Sequence, residues 1–324
     1  MESSNNPIAA FVKGFFVFLE RQGIAACVLH GWRQGFEDAL SDVDFVVEPS
    51  ALAGIVAVVH RYCEMSDWRL CQVFRHETTA TYCVCCAKRD PGVVLALDAC
   101  SDYQQDRARL IPAVTLLAQR VALPWGGFRL SDQGELRYRL AKAAIKSKDA
   151  AWAAAEFAAY PDDVRADCAA WLVREWGISL AGWNATDLGV ALPALRRKAN
   201  GGRPFWDPGP VRRMADRAFH PTGMIIVTGR AIPNALADGL ASRLGTLYFR
   251  RIAMARRMGP GLIGALIQST AVIVSDGGGI VSRMLPSDCE FVLDPTWDLA
   301  TCRARIAGAL QVRCAKREGL SITP

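Results

Sequence analysis

The sequence predicts an α/β (α+β) fold: a mixed sheet with helices, then a helical middle segment, then a small C-terminal parallel α/β unit. Three observations predict it. Short apolar runs bounded by Gly, Pro or acidic residues recur through the first hundred residues, as the strands of a covered sheet do. Residues 133–159 and 162–200 carry helical patterns, the first rich in Ala with charges to one side. After residue 220 the apolar runs return. With 324 residues, 51% apolar and 22% charged, the chain is long enough for two domains or three small ones.

Taken in order, the first element is a helix over residues 10–22. Its patch Phe15-Phe16-Val17-Phe18-Leu19 is preceded by Lys13 and followed by Glu20-Arg21-Gln22. That marks an amphipathic helix, not a signal peptide or a membrane span. Strands follow at 24–30 and 43–48, and Pro49-Ser50 opens a helix around 50–64. Segment 68–75 reads as a strand. Segments 79–85 and 93–98 flank Lys88-Arg89-Asp90-Pro91-Gly92, the signature of a hairpin turn. The hairpin places the strand ending in Asp98 within the sheet, beside the strand carrying Asp44. Helical residues 133–159 put Lys142, Lys146 and Asp149 on one face. Asn200-Gly201-Gly202-Arg203-Pro204 and Asp207-Pro208-Gly209-Pro210 mark a linker. The expected division is 1–132, a helical segment 133–203, a linker 204–220 and a C-terminal domain 221–324.

Composition excludes several classes. The eleven cysteines are an odd, scattered set within apolar segments. They read as reduced thiols of a cytoplasmic protein. Cys63, Cys71, Cys83, Cys85 and Cys86, with His60 and His76 nearby, match no standard zinc spacing, and strand alternation puts Cys85 and Cys86 on opposite faces. Residues 196–324 hold 19 Lys and Arg against 9 Asp and Glu. No aromatic-interleaved basic stripe accompanies them, so no specific nucleic-acid partner is expected. No apolar run is long enough to span a membrane.

The chemistry concentrates at Leu40-Ser41-Asp42-Val43-Asp44-Phe45-Val46-Val47. Positions i and i+2 of a strand point the same way, so Asp42 and Asp44 present two carboxylates on one face. Like charges held that close need a compensating cation. A divalent ion such as Mg²⁺ or Mn²⁺ answers that need and keeps sites open for phosphate. Ser-Asp-x-Asp also caps ordinary turns, and on these residues alone both readings stand. Upstream, Ile24-Ala25-Ala26-Cys27-Val28-Leu29 ends in His30-Gly31-Trp32, and a glycine there lets a phosphate approach the backbone. Downstream, Val93-Val94-Leu95-Ala96-Leu97 ends in Asp98. Three carboxylates at adjacent strand ends can hold a metal pair roughly 3.5–4 Å apart. On the simple like-charge picture, Asp44→Asn leaves the ligand-free protein as stable as before or more so.

In this order Gly31, Asp42, Asp44 and Asp98 resemble the polymerase-β-like nucleotidyltransferase superfamily over about residues 10–150. The departure is Trp32, where that family has a small residue. The resemblance implies a metal-dependent transfer of a nucleoside monophosphate from an NTP to an acceptor. It implies metal ligation by Asp42, Asp44 and Asp98, and nucleotide contacts from Gly31, Ser41 and a helix lysine, Lys142 or Lys146. The alternative is a non-catalytic nucleotide-binding regulator or scaffold.

Pro221-Thr222-Gly223-Met224-Ile225-Ile226-Val227-Thr228-Gly229-Arg230 looks like the start of a kinase-type P-loop module similar to thymidylate kinase. Such modules are fused behind nucleotidyltransferase domains in bacterial polysaccharide gene clusters. Where the family has Gly-Lys-Ser/Thr, this chain has Asn234, Ala235 and Leu236. The phosphate-neutralising Lys and the metal-binding hydroxyl are absent, which implies a degenerate domain. A rival reading is a Rossmann-like unit with Gly277-Gly278-Gly279 as an anion-binding loop.

Overall fold

The computed structural model describes residues 6–32, 36, 42–77, 79–105, 108–201, 224–227, 251–255, 271–275, 290–292, 294 and 296–321. The expected linker, Gly229, Pro233–Leu236 and Asp276–Gly279 lie outside the described residues. Among the described residues no helix is long and apolar enough to cross a membrane.

The fold is mixed α/β. Its main sheet has seven strands: β1 (Ala26–Val28), β2 (Val43–Val47), β3 (Trp68–Glu77), β4 (Ala80–Ala87), β5 (Val94–Cys100), β8 (Arg120–Ala122) and β9 (Phe128–Leu130). Their order is β3-β4-β5-β2-β1-β9-β8, with β2 at the centre. β2 runs parallel to β5, and β1 parallel to β9; the other neighbours are antiparallel. β6 (Tyr103–Gln105) and β7 (Ala108–Ile111) form a separate two-stranded ribbon.

Each face of the sheet has its own core. On one face lie α1 (Pro7–Arg21) and α3 (Ile55–Met65). There Phe15 and Phe16 meet Phe45 edge-on, at ring separations of 5.8 and 5.4 Å. All three rings are buried, each stabilising the fold by about 1.5–3 kcal/mol through transfer from water. Asn6 caps α1, its side chain accepting from the amides of Ile8 and Ala9. The helix expected over 50–64 is two, because Gly54 interrupts it: α2 (Pro49–Leu52) precedes α3.

The opposite face is covered by α4 (Ala113–Ala118), α5 (Asp132–Ile145), α6 (Ala150–Phe157), α7 (Asp162–Trp176) and α8 (Ala185–Asn200). Tyr138, Leu140, Phe157, Leu172 and Leu188 fill this second core. The single helix expected over 133–159 is broken between α5 and α6. Ser147 takes a left-handed backbone, φ +51°. Asp149 then caps α6 by accepting from the amides of Ala151 and Trp152. Lys146 and Asp149 therefore share no helix face.

Four C-terminal strands, β10 (Met224–Val227), β11 (Arg251–Ala255), β12 (Ala271–Ser275) and β13 (Glu290–Val292), form a parallel sheet of order β11-β12-β10-β13. Among the described strands of this region, the first is flanked by the third and fourth. In the dinucleotide-binding arrangement it would be flanked by the second and fourth.

The last helix, α9 (Leu299–Glu318), packs on β3 of the main sheet. Cys314 enters the core beside α1 and α3. Glu318 receives both guanidinium nitrogens of Arg75, at 3.1 and 2.6 Å. Arg317 donates to the carbonyl of Val73, and Gln311 to Glu64 at 3.2 Å. His60 and the Ser321 carbonyl are 2.7 Å apart. Helix α9 and Ser321 are thus tied to α3 and β3.

Burial alone would raise the Glu318 carboxyl, but the hydrogen bond from Arg75 and the charge of Arg317 outweigh it and hold it below the usual range. A depressed folded value contributes stability above the unfolded value and loses it as pH falls. Glu318→Gln should therefore lower stability at pH 7 by about 1 kcal/mol. The difference from wild type should close as pH drops below about 4. Urea unfolding of both proteins across that range checks it.

Candidate functional site

The site is set by the two sides of β2. Phe45 and its alternates Val43 and Val47 point into the core beneath α1, while Val46 belongs to the opposite core. Asp44 shares Val46's parity and so emerges on the α5 side. The parallel register of β2 and β5 sets Asp44 directly opposite Asp98. Asp42, one residue before β2 and two before Asp44, completes the group. One carboxylate oxygen from each of Asp42, Asp44 and Asp98 lies within 4.8 Å of the others. Three hard oxygen donors that close match what Mg²⁺ or Mn²⁺ accepts.

Asp44 is held tightly by the chain itself. Its Oδ2 meets the ammonium of Lys142 and Nε2 of His30, and the Tyr138 hydroxyl donates to it at 3.3 Å. Lys142 Nζ and His30 Nε2 are 2.8 Å apart. Burial alone would raise the Asp44 carboxyl. The hydrogen bond from His30 and the positive charge of Lys142 outweigh it and hold the group far below the ordinary carboxylate range. Burial, reinforced by the Asp44 charge, pushes the Tyr138 phenol well up, so it stays a donor. Side-chain exposures of 11% for Asp44, 21% for Lys142 and 29% for His30 show that the cluster opens on the histidine side.

Helix α5 positions Tyr138 and Lys142 one turn apart on the face toward the sheet. Ser131 caps it, accepting from the Gly134 amide at 3.2 Å. Arg137 bonds Asp167 of α7 and Arg139 bonds Glu156 of α6, fixing its rotation. The Tyr138 ring meets Tyr103 edge-on at 4.8 Å and stacks with His30 at 5.9 Å.

Gly31 follows His30 with φ +83°, a conformation side chains resist. Apart from its chain neighbours, no described atom comes within 4 Å of the point where a Cβ would stand. Trp32 is anchored sideways: its indole N–H donates to buried Glu135 at 3.2 Å, and the Arg129 guanidinium lies over the ring at 4.1 Å.

Of the residues expected from sequence, Asp42, Asp44, Asp98 and Lys142 come together, and Gly31 directly follows His30, which bonds Asp44. Lys146 does not join them through a shared helix face; it is the exposed residue ending α5. Ser41 lies outside the described residues. Sequence reasoning assigned no role to His30, Tyr138 or Glu135. Tyr138 carried a signal, standing four residues before Lys142 on one helix. His30 stood beside Gly31 at the strand end.

The cysteines pair by face. Cys85 meets Cys63 of α3 at 3.6 Å, and Cys86 meets Cys71 of β3 at 3.4 Å. Burial pushes the Cys63 and Cys85 thiols up, away from the metal-binding thiolate.

The bonds around Asp44 reverse the expectation that neutralising it is harmless. Asp44→Asn should destabilise the ligand-free protein by about 1–3 kcal/mol, because His30, Lys142 and Tyr138 lose a charged acceptor. Asp42→Asn removes one of the three clustered charges and should be neutral or slightly stabilising. Thermal melts of both variants in chelator at pH 7 distinguish the two effects.

Comparison of the chain with family models, with curated proteins and with solved structures returns no match.

Proposed function

We propose that the chain is a metal-dependent nucleotidyltransferase that moves a nucleoside monophosphate from an NTP to an acceptor hydroxyl. The observation that carries the reading is the triad itself: Asp42, Asp44 and Asp98 at neighbouring strand ends, their oxygens within 4.8 Å, with Gly31 following His30, the partner of Asp44.

Asp42, Asp44 and Asp98 would hold Mg²⁺ or Mn²⁺, which supplies Lewis acidity at the phosphorus and neutralises charge on the leaving pyrophosphate. Gly31 lets phosphate oxygens lie against the backbone, where a side chain would intrude. Asp98 accepts the proton of the acceptor hydroxyl. The acceptor oxygen forms its bond to the α-phosphorus as the bond to pyrophosphate breaks. His30 and Tyr138 orient Asp44 by occupying its Oδ2.

A second reading, a nucleotide-binding regulator or scaffold, also draws on a specific observation. Lys142 already balances the charge of Asp44 and His30 hydrogen-bonds it, so the clustered acids do not by themselves demand a metal. For the C-terminal sheet we propose a degenerate P-loop-like unit without phosphotransfer. Its strand order departs from the dinucleotide-binding one, which favours this over the Rossmann-like alternative. Ala235 and Leu236 supply neither a cation nor a hydroxyl.

Mg²⁺ with an NTP should raise the melting temperature of the full chain, since a ligand of the folded state stabilises it. Asp98→Asn should remove that shift and the metal-dependent release of pyrophosphate. A nucleotide-dependent shift that persists in chelator and in Asp98→Asn, without pyrophosphate release, would establish the regulator reading instead.

A further inference from the structure

We propose that Lys142 is a displaceable counter-ion of the triad: its ammonium and a divalent cation compete for the same oxygen of Asp44. The inference rests on the metal site proposed above and names a positioning residue that regulates it.

Three donors converge on Asp44 Oδ2: the Lys142 ammonium, His30 Nε2 and the Tyr138 hydroxyl. A carboxylate oxygen offers about two lone-pair sites, so this oxygen is saturated by the protein. A cation that uses it must evict a donor. Tyr138 cannot leave easily, being buried and wedged edge-on against Tyr103. His30 is stacked on the Tyr138 ring and fixed by the backbone beside Gly31. Lys142 has a long, flexible stem and 21% side-chain exposure. It also carries the charge that an incoming cation repels.

The neighbouring imidazole eases the exchange. Nε2 of His30 carries at most one proton, so it either donates to Asp44 or accepts from Lys142, 2.8 Å away. When the ammonium departs, Nε2 is left with Asp44 as its partner and, protonated, donates to it. While bound to Asp44 the ammonium also lies over the Tyr138 ring, 5.4 Å from the centroid, and its flexible stem lets it swing from there toward an incoming polyanion. Cation binding thus carries the cost of one charge-assisted hydrogen bond and delivers a free positive charge in exchange. The metal and an anionic substrate are thereby coupled through one side chain.

Mn²⁺ alone is the probe, titrated calorimetrically into the full chain at pH 7.5 without nucleotide, for wild type, Lys142→Met and Lys142→Arg. Lys142→Met should bind Mn²⁺ about tenfold more tightly, because no ammonium has to be displaced. Lys142→Arg, which keeps the competing charge, should stay near wild type. If Lys142→Met is too unstable to titrate, the Mn²⁺-induced rise in its melting temperature should exceed that of wild type. A purely structural lysine would give the opposite, a weaker site. Equal or weaker Mn²⁺ binding by Lys142→Met overturns the competition while leaving the metal site standing. Absence of Mn²⁺ binding in all three proteins overturns the metal site and the competition together.

Discussion

The pairing of β2 with β5 is the constraint on which the rest depends. β2 has five residues, all buried, and must serve two cores at once. Phe45, locked between Phe15 and Phe16, decides which way the strand faces. A slip of one residue would drive Asp44 into the aromatic core and turn Phe45 into the space of the carboxylate cluster beneath α5, two penalties that reinforce each other. The aromatic cluster therefore fixes the carboxylates on the far side of the sheet without touching them. The same register sets Asp44 opposite Asp98, so the spacing of the two acids follows from backbone hydrogen bonding and not from any flexible side chain.

Placing three carboxylates together in a partly dry crevice is electrostatically expensive. The molecule meets part of that cost from α5. A helix held to two neighbours by Arg137 and Arg139 presents a tyrosine and a lysine to the central acid. This arrangement bears on how acid clusters are interpreted in general. A Asp-x-Asp strand start can be stable in the absence of metal if a distant helix brings a cation to it, so persistence of the acids is a weaker sign of activity than their separation from the protein's own cations.

What was legible in the sequence was local. The period of two along a strand placed Asp42 and Asp44 on one side. The Asp90-Pro91-Gly92 turn announced the β4–β5 hairpin, where Val93 donates to the Asp90 carbonyl at 2.9 Å. What was hidden depended on partners far along the chain. His30 meets Asp44 across 14 residues and Tyr138 meets it across 94. The break after α5 turns on one left-handed serine that no helix propensity singles out. The short β8–β9 hairpin, which extends the sheet beyond β1, has strands of three residues each, too short for a period of two to stand out. Docking of α9 on β3 joins segments more than two hundred residues apart, and nothing in the periodicity of either segment names the other.

That docking has a consequence for how the molecule comes into being. A chain emerges from the ribosome from its N-terminus, and early segments begin to fold while later ones are still being made. Here β3 is an edge strand, and an uncovered edge can recruit foreign strands. Its cover, α9, is made more than two hundred residues later. Throughout translation of the intervening residues the first sheet exists with one border unfinished, open to chaperones or to misplaced neighbours. Completion of this sheet waits on a helix that does not yet exist when its strands are made.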